Sequence, residues 1–316
     1  MILTNFYFKL KDKDMDTKSE NIIFDTVAII GIGLIGSSIA RGIQKNKIAR
    51  RVFGYAKTIA TRKKAEELGY MDKIFDTSAG AVHNADLIIL CVPVGSNADI
   101  MREIKEHLKM GAIITDVGSV KKAVIDQIDM YLPDGVCFIP GHPIAGTEFS
   151  GPESGFAELF NKKCCLLTPY TKTDKGQLNK LISFWEELGM FVDTMSPEMH
   201  DLVLATISHL PHLVAFNLVD TASKLENREN QEFTKYSAGG FLDYTRVASS
   251  DPIMWRDIFI NNKKAVIEIL DSFIDGLTDL KENIQTDNAN KLESIFTETR
   301  KKRNKILDSI KKIESE

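Results

Sequence analysis

Apolar positions along the first two thirds of the chain switch repeatedly between two periods. Short runs rich in β-branched residues, TVAII (26–30), RVFGY (51–55), ADLIILCVP (85–93) and GAIITDV (111–117), read as buried strands. VCFIPGHP (136–143) and KKCCLLTPY (162–170) count as two more. Between them lie segments with helical spacing: Ile35, Ile39 and Ile43; TRKKAEELG (61–69), stopped by Gly69; Ile100, Ile104 and Leu108; and Leu178–Leu188. Strands alternating with helices predict a parallel, doubly wound sheet. After Ser196 no convincing strand appears. Ile258, Asn262, Ala265, Val266, Ile269, Leu270, Phe273, Ile274 and Leu277 predict one continuous amphipathic helix, and Leu292, Ile295, Phe296, Ile306, Leu307 and Ile310 another. The pattern divides the chain into a flexible N-terminal tail (1–24, with Met15 a second candidate start), an α/β domain (25–196) and an all-helical domain (197–316).

Composition narrows the class. Of 316 residues, 43% are hydrophobic and 27% charged, enough for a sizeable core and against wholesale disorder. Forty basic and forty-four acidic residues leave a net charge of −4, which argues against a protein built to bind nucleic acid. The basic run Arg300–Arg303 shares a helix with an apolar stripe and reads as a solvated face. No apolar run looks long enough to span a bilayer, and Lys9 and Lys11 spoil the N-terminus as a signal peptide. Four cysteines without a CxxC pair fit reduced thiols, so a cytoplasmic protein is expected.

GIGLIG (31–36) is a GxGxxG sequence that follows a strand and opens a helix, the context of a Rossmann-like dinucleotide site. Gly31 permits the tight turn, Gly33 lets a pyrophosphate approach the backbone, and Gly36 allows close helix–strand packing. The acid that usually binds the adenosine ribose is missing. Ala56 occupies its place, followed by Lys57 and Thr58. A cation beside a missing carboxylate suits a 2′-phosphate, so NAD and NADP both stay open.

Three further stretches carry candidate chemistry. His142, held between Gly141 and Pro143 after a strand, falls on the ligand-facing edge of the sheet and suits a general base. His209 and His212, in SHLPH (208–212) opening a helix, have metal-ligand spacing but no convincing third ligand. His200-Asp201 lacks the partner motifs of a phosphohydrolase, so no metal is expected. Arg246, in a loop-like segment, offers a fork for a carboxylate, or it pairs with Asp243 or Asp251. Ser119 stands where the following helix would need its N-cap.

Taken together, GIGLIGSS (31–38), ILCVPV (89–94), TDVGSVK (115–121), GHPIAGTEFSG (141–151), SHLPH (208–212) and GGFLDYTRVASSDPIMWRDI (239–258) resemble the prephenate/arogenate (cyclohexadienyl) dehydrogenase family, in the family's order and over about Asp25 to Leu307. The resemblance implies oxidative decarboxylation of prephenate or arogenate with hydride transfer to NAD or NADP, in tyrosine biosynthesis. It casts His142 as the acceptor of the hydroxyl proton. Ser119 then bonds the same hydroxyl or aligns His142, and Arg246 holds a substrate carboxylate. His209, His212 and Trp255 line the substrate pocket, with Thr147 and Glu148 at its mouth. Leu34, Ile35, Val92 and Pro93 join the three glycines, Ala56 and Lys57 at the cofactor. It also implies a homodimer built through the helical domain and, at this length, no fused mutase or regulatory domain. The alternatives are another two-domain NAD(P) dehydrogenase of the β-hydroxyacid type and a dinucleotide sensor without turnover. The first relies on a lysine in a glycine-rich helix, and no such segment lies between Ser196 and Leu225.

Overall fold

The computed structural model describes residues 22–147 and 149–315. The expected tail therefore lies outside the described residues except at its end, where Phe24 already belongs to a strand and is buried. β1 (Phe24–Ile30), α1 (Leu34–Asn46), β2 (Ala49–Tyr55), α2 (Ile59–Leu68), β3 (Lys73–Ile74), α3 (Ser78–Val82), β4 (Leu87–Leu90), α4 (Asn97–Ile104), β5 (Ile113–Asp116), α5 (Lys122–Asp129) and β6 (Cys137–Phe138) follow in alternation. Their strands form one parallel sheet in the order β3-β2-β1-β4-β5-β6. The strand order reverses between β1 and β4, so the carboxyl ends of these two strands border the crevice where such sheets bind ligands.

Both faces of the sheet are covered, which is why its strands read as unbroken apolar runs. Val27, Ile29, Leu87 and Ile89 enter one core with Ile39 and Ile43 of α1. The alternate residues Ala28, Ile30, Ile88 and Leu90 enter the other, with Ile104 of α4 and Val124 of α5. Each such isoleucine or leucine contributes roughly 1.5–3 kcal/mol by leaving water.

The single strand expected over VCFIPGHP is two strands in two sheets. Pro140 has no N–H to continue the ladder after β6. The chain crosses instead to β7 (Gly141–Pro143), which pairs antiparallel with β8 (Cys164–Leu167). After α6 (Lys175–Glu187), β9 (Phe191–Thr194) adds parallel to β8. The Pro140 carbonyl marks the crossing, accepting from Thr168 N at 2.9 Å. His142 thus sits within a strand rather than on a loop edge. All four cysteines are free thiols.

In the helical part, α7 (Pro197–Leu204), a π turn over Ala205–His209 and α8 (Leu210–Glu229) make one uninterrupted run. SHLPH therefore lies inside a long helix, not at its start. Pro211 cannot donate to the carbonyl four residues back, and the widened turn absorbs that misfit. The run Pro197–Glu229 is long and apolar enough, by length and composition, to cross a membrane, which corrects the expectation that no such stretch exists. The same run carries buried His200, Asp201 and His209.

α9 (Gly239–Thr245), α10 (Pro252–Asn261), α11 (Lys263–Gln285) and α12 (Ala289–Ser315) complete the chain. The continuous helix expected across 258–277 is broken at Asn262 (φ −107, ψ 27), whose buried side chain hydrogen-bonds away from the helix. One compact unit ends at Ile267 and a second begins at Glu268. In the second unit, Arg300, Lys301, Lys302 and Arg303 are exposed on α12, while Leu292, Ile295 and Leu307 are half-buried.

Candidate active site

The turn from β1 into α1 has the geometry a dinucleotide needs. Gly31 adopts φ +104, and a Cβ there would lie 2.2 Å from the Cys91 carbonyl oxygen. A Cβ on Gly36 would meet the Gly31 oxygen at 2.1 Å, so only glycine allows α1 to start this close to β1. Gly33 differs: a Cβ there would meet nothing within 4 Å, which leaves open space beside the backbone. Gly33 is also the N-cap of α1, with no capping side chain and no acid in the first turn. The first N–H groups of α1, at Leu34, Ile35 and Gly36, are thus available to an anion such as a pyrophosphate. Val92 follows β4 and approaches this turn, its Cγ1 being 3.2 Å from the same Cβ position on Gly31; Pro93 stands exposed beside it.

At the end of β2, Ala56 is buried and Lys57 exposed. Arg62 reaches back to donate to the Ala56 carbonyl at 2.8 Å and the Lys57 carbonyl at 3.2 Å. Thr58 caps α2 by accepting from Thr61 N at 3.1 Å. No carboxylate stands at position 56. Ala56→Asp is expected to shift the NADP+ to NAD+ ratio of kcat/KM toward NAD+ by about tenfold or more, the factor that roughly 1.4 kcal/mol gives. Initial rates with both dinucleotides check this, and an unchanged ratio would remove Ala56 from the ribose site.

A buried cluster of polar side chains is built where β7 meets α7. His142, 8% exposed, has Nδ1 2.9 Å from His200 Nε2. The fully buried His200 in turn has Nδ1 2.9 Å from Asp201 Oδ1. The Asp201 carboxylate also accepts from Lys121 N at 2.8 Å and Lys122 N at 3.0 Å, so it caps α5 from a distant helix. This corrects the reading of Ser119 as the cap: the N-cap position is Lys121, and Ser119 is half-buried with no hydrogen bond of its own. Below His142, the wholly buried Lys121 ammonium bonds both the Asp116 carboxylate and the Gly141 carbonyl. Asp116 accepts from Gly141 N at 3.1 Å, so the strand carrying His142 is clasped from β5. Burial, joined by the charges of His200, Lys121 and His209, holds the His142 pKa well below its ordinary value. Burial lowers His200 as well, against the pull of Asp201. Both imidazoles are neutral near pH 7.

The helical elements supply a second group. Asn262 donates to the Asp201 carbonyl at 2.8 Å and to His209 Nδ1 at 3.1 Å, which leaves the proton of His209 on Nε2. That Nε2 is buried without a partner, as is Trp255 Nε1. Burial pushes His209 down to about 4, so it stays a neutral donor. Trp255 lies edge-on to His209 at 5.9 Å and stacks on His212 at 3.7 Å. His212 donates Nδ1–H to the Ser208 carbonyl at 2.9 Å, which presents its Nε2. Burial lowers its pKa, the Ser208 carbonyl works against this, and the charge of nearby Arg246 lowers it further. Among the described residues, Arg246 forms no ion pair. Asp251, one of the two acids weighed as its partner, instead caps α10 by accepting from Met254 N at 2.8 Å. Trp255 packs on Val120, next to Ser119, and α10 lies against the turn at 94–96 that follows Val92 and Pro93. Cofactor loop and helical group therefore belong to one neighbourhood.

Thr147 is exposed, accepts from Phe149 N at 3.3 Å and shares no hydrogen bond with the histidines; Glu148 lies outside the described residues. Sequence reasoning missed the roles of Lys121, Asp116, His200, Asp201 and Asn262. An acid closing the apolar run GAIITD was one available signal, and a polar residue inside the stripe at 258–277 was another. The pairing of His142 with a histidine 58 positions away had none.

Two family models match the chain: prephenate dehydrogenase, nucleotide-binding domain, over residues 39–193, and prephenate dehydrogenase, dimerization domain, over residues 196–298. Cyclohexadienyl dehydrogenase of Zymomonas mobilis is 40% identical over 281 residues, covering 89% of this chain and 96% of its own length. Prephenate dehydrogenase of Bacillus subtilis is 35% identical over 277 residues, 87% of this chain and 74% of its own. Among solved structures, prephenate dehydrogenase from Aquifex aeolicus in complex with hydroxyphenyl propionate and NAD+ superposes with a TM-score of 0.83 at 38% identity, over 89% of this chain and 98% of that one. Synechocystis arogenate dehydrogenase follows the same path with a TM-score of 0.77 at 28% identity, over 89% and 99%.

Proposed function

The chain belongs to the prephenate dehydrogenase family, and from that premise we propose that it catalyses the oxidative decarboxylation of prephenate, arogenate or both in tyrosine biosynthesis. The observation that carries this reading is His142: a buried, neutral imidazole whose Nε2 has no partner among the described residues, on a strand clasped against the dinucleotide-binding sheet. The turn at Gly31–Gly36 would hold NAD+ or NADP+, which when bound would supply the acceptor for the hydride on the ring carbon that bears the hydroxyl.

The chain's own residues have four tasks. Loss of hydride makes the hydroxyl acidic, and His142 Nε2 accepts its proton as the carbonyl forms. Carbon dioxide then leaves from the opposite ring carbon, the electron pair of the broken C–C bond passes through the ring to the carbonyl oxygen, and the resulting phenolate takes back the proton held on His142 to give the phenol. Arg246, which forms no ion pair among the described residues, holds a substrate carboxylate by charge-assisted hydrogen bonds and presses the ring toward the nicotinamide. His209 Nε2–H and Trp255 Nε1–H are buried donors without acceptors, and a second substrate oxygen or an ordered water satisfies them. The open Gly33 backbone and the α1 N-terminus hold the pyrophosphate.

The region matched by the dimerization model leaves Leu218, Val219 and Leu225 exposed on α8, apolar positions that a homodimer would cover. Reduced carriers and carbon dioxide are expected in equal amounts, with 4-hydroxyphenylpyruvate from prephenate or tyrosine from arogenate. Hydride transfer without carbon dioxide would point to an ordinary hydroxyacid dehydrogenase, and dinucleotide binding without turnover to a sensor.

A further inference from the structure

We propose that Asp201 and His200 are positioning residues that fix the tautomer of His142 and stabilise its protonated form. This rests on the reading of His142 as the base, although the tautomer itself can be tested without any reaction. The argument runs inward from Asp201. Its ionised carboxylate only accepts hydrogen bonds, and it already receives the N–H groups of Lys121 and Lys122. The contact at 2.9 Å therefore requires the proton of His200 on Nδ1. Neutral His200 then presents a lone pair at Nε2, and the 2.9 Å contact requires His142 to donate from Nδ1. The lone pair of His142 is left on Nε2, the nitrogen without a partner among the described residues. In the opposite tautomer two lone pairs would face each other across 2.9 Å.

When Nε2 takes the substrate proton, the new positive charge sits one hydrogen bond from His200 and two from Asp201. No further proton has to move. The bound proton returns to the phenolate oxygen once carbon dioxide has left, so His142 is neutral again when product departs. The other groups around the pair are accounted for: Lys121, whose charge is matched by Asp116; His209, neutral; and the Cys165 thiol of β8, which burial keeps protonated. Asp201 is thus the carboxylate that bonds the relay directly. Its hold on the α5 N-terminus makes the arrangement rigid, because the acceptor cannot swing away without uncapping that helix.

The chain has six histidines, so selective ¹⁵N labelling of the imidazoles can resolve them in the intact protein. His142 and His200 are both expected to carry their proton on Nδ1 near neutral pH; a proton on Nε2 of His142 would overturn the proposal. Kinetics test the consequence. Asp201→Asn and His200→Leu are expected to lower kcat about a hundredfold with KM within about threefold, in the range of losses seen for groups that orient a reacting ligand. His200→Gln, which leaves the α5 cap intact and offers an oxygen to His142 Nδ1–H, is expected to recover part of that loss. Removing the carboxylate weakens proton affinity at the pair, so the acid limb of kcat/KM should move to lower pH in Asp201→Asn. A purely structural role would lower thermal stability without moving that limb. Wild-type kcat and an unmoved limb in both His200→Leu and Asp201→Asn would also overturn the proposal. If wild-type protein shows the expected tautomer yet turns over neither substrate, it is the reading of the reaction that fails.

Discussion

His142→Asn is expected to lose about three orders of magnitude in kcat, within the range of roughly 10²–10⁴ that general-base groups contribute. Asparagine keeps a polar side chain but has no basic nitrogen, so the departing hydroxyl proton loses its positioned acceptor. The dinucleotide turn at Gly31–Gly36 makes no contact with the His142 hydrogen bonds, so cofactor affinity should stay within about twofold. Stability is the confounding variable, because His142 is buried. Asparagine can still donate toward His200 Nε2, which limits that loss. Rapid-mixing rates and dinucleotide titration on the same preparation separate the two effects. Near-wild-type turnover would remove His142 from the chemistry.

Arg246→Ala is expected to act on KM instead. A hydrogen bond to a charged group contributes about 1.5–3 kcal/mol, which corresponds to roughly a ten- to hundredfold rise in KM, with kcat changed only a few-fold. The inference depends on Arg246 having no ion pair among the described residues while its charge reaches His212. Arg246→Lys should recover only part of the affinity, because an ammonium cannot reproduce the planar fork. Steady-state kinetics over substrate concentration checks this. A fall in kcat at constant KM would mean that Arg246 acts only in the transition state.

The sequence made some of this architecture legible and concealed the rest for physical reasons. β1, β4 and β5 could be read because a sheet covered on both faces needs continuous apolar runs. The cofactor turn could be read because Gly31 and Gly36 leave no room for a Cβ. VCFIPGHP misled because apolarity persists across Pro140 while the hydrogen-bond ladder does not. Asn262 fitted the stripe at 258–277 by position, yet its amide serves Asp201 and His209, and the helix stops there. The candidate base was identifiable as a residue type between glycine and proline. Its supports were not, since the Asp201 cap on α5 spans 80 residues and the His200 contact 58. Local pattern encodes elements, whereas such pairings exist only once the elements have packed.

The most direct measurement of the central claim is the initial rate of reduced nicotinamide formation by purified protein, with prephenate or arogenate crossed against NAD+ or NADP+. The account predicts turnover in at least one combination, dependent on both substrate and dinucleotide and accompanied by equal carbon dioxide. Folded protein that binds a dinucleotide and stays silent in all four combinations would contradict it.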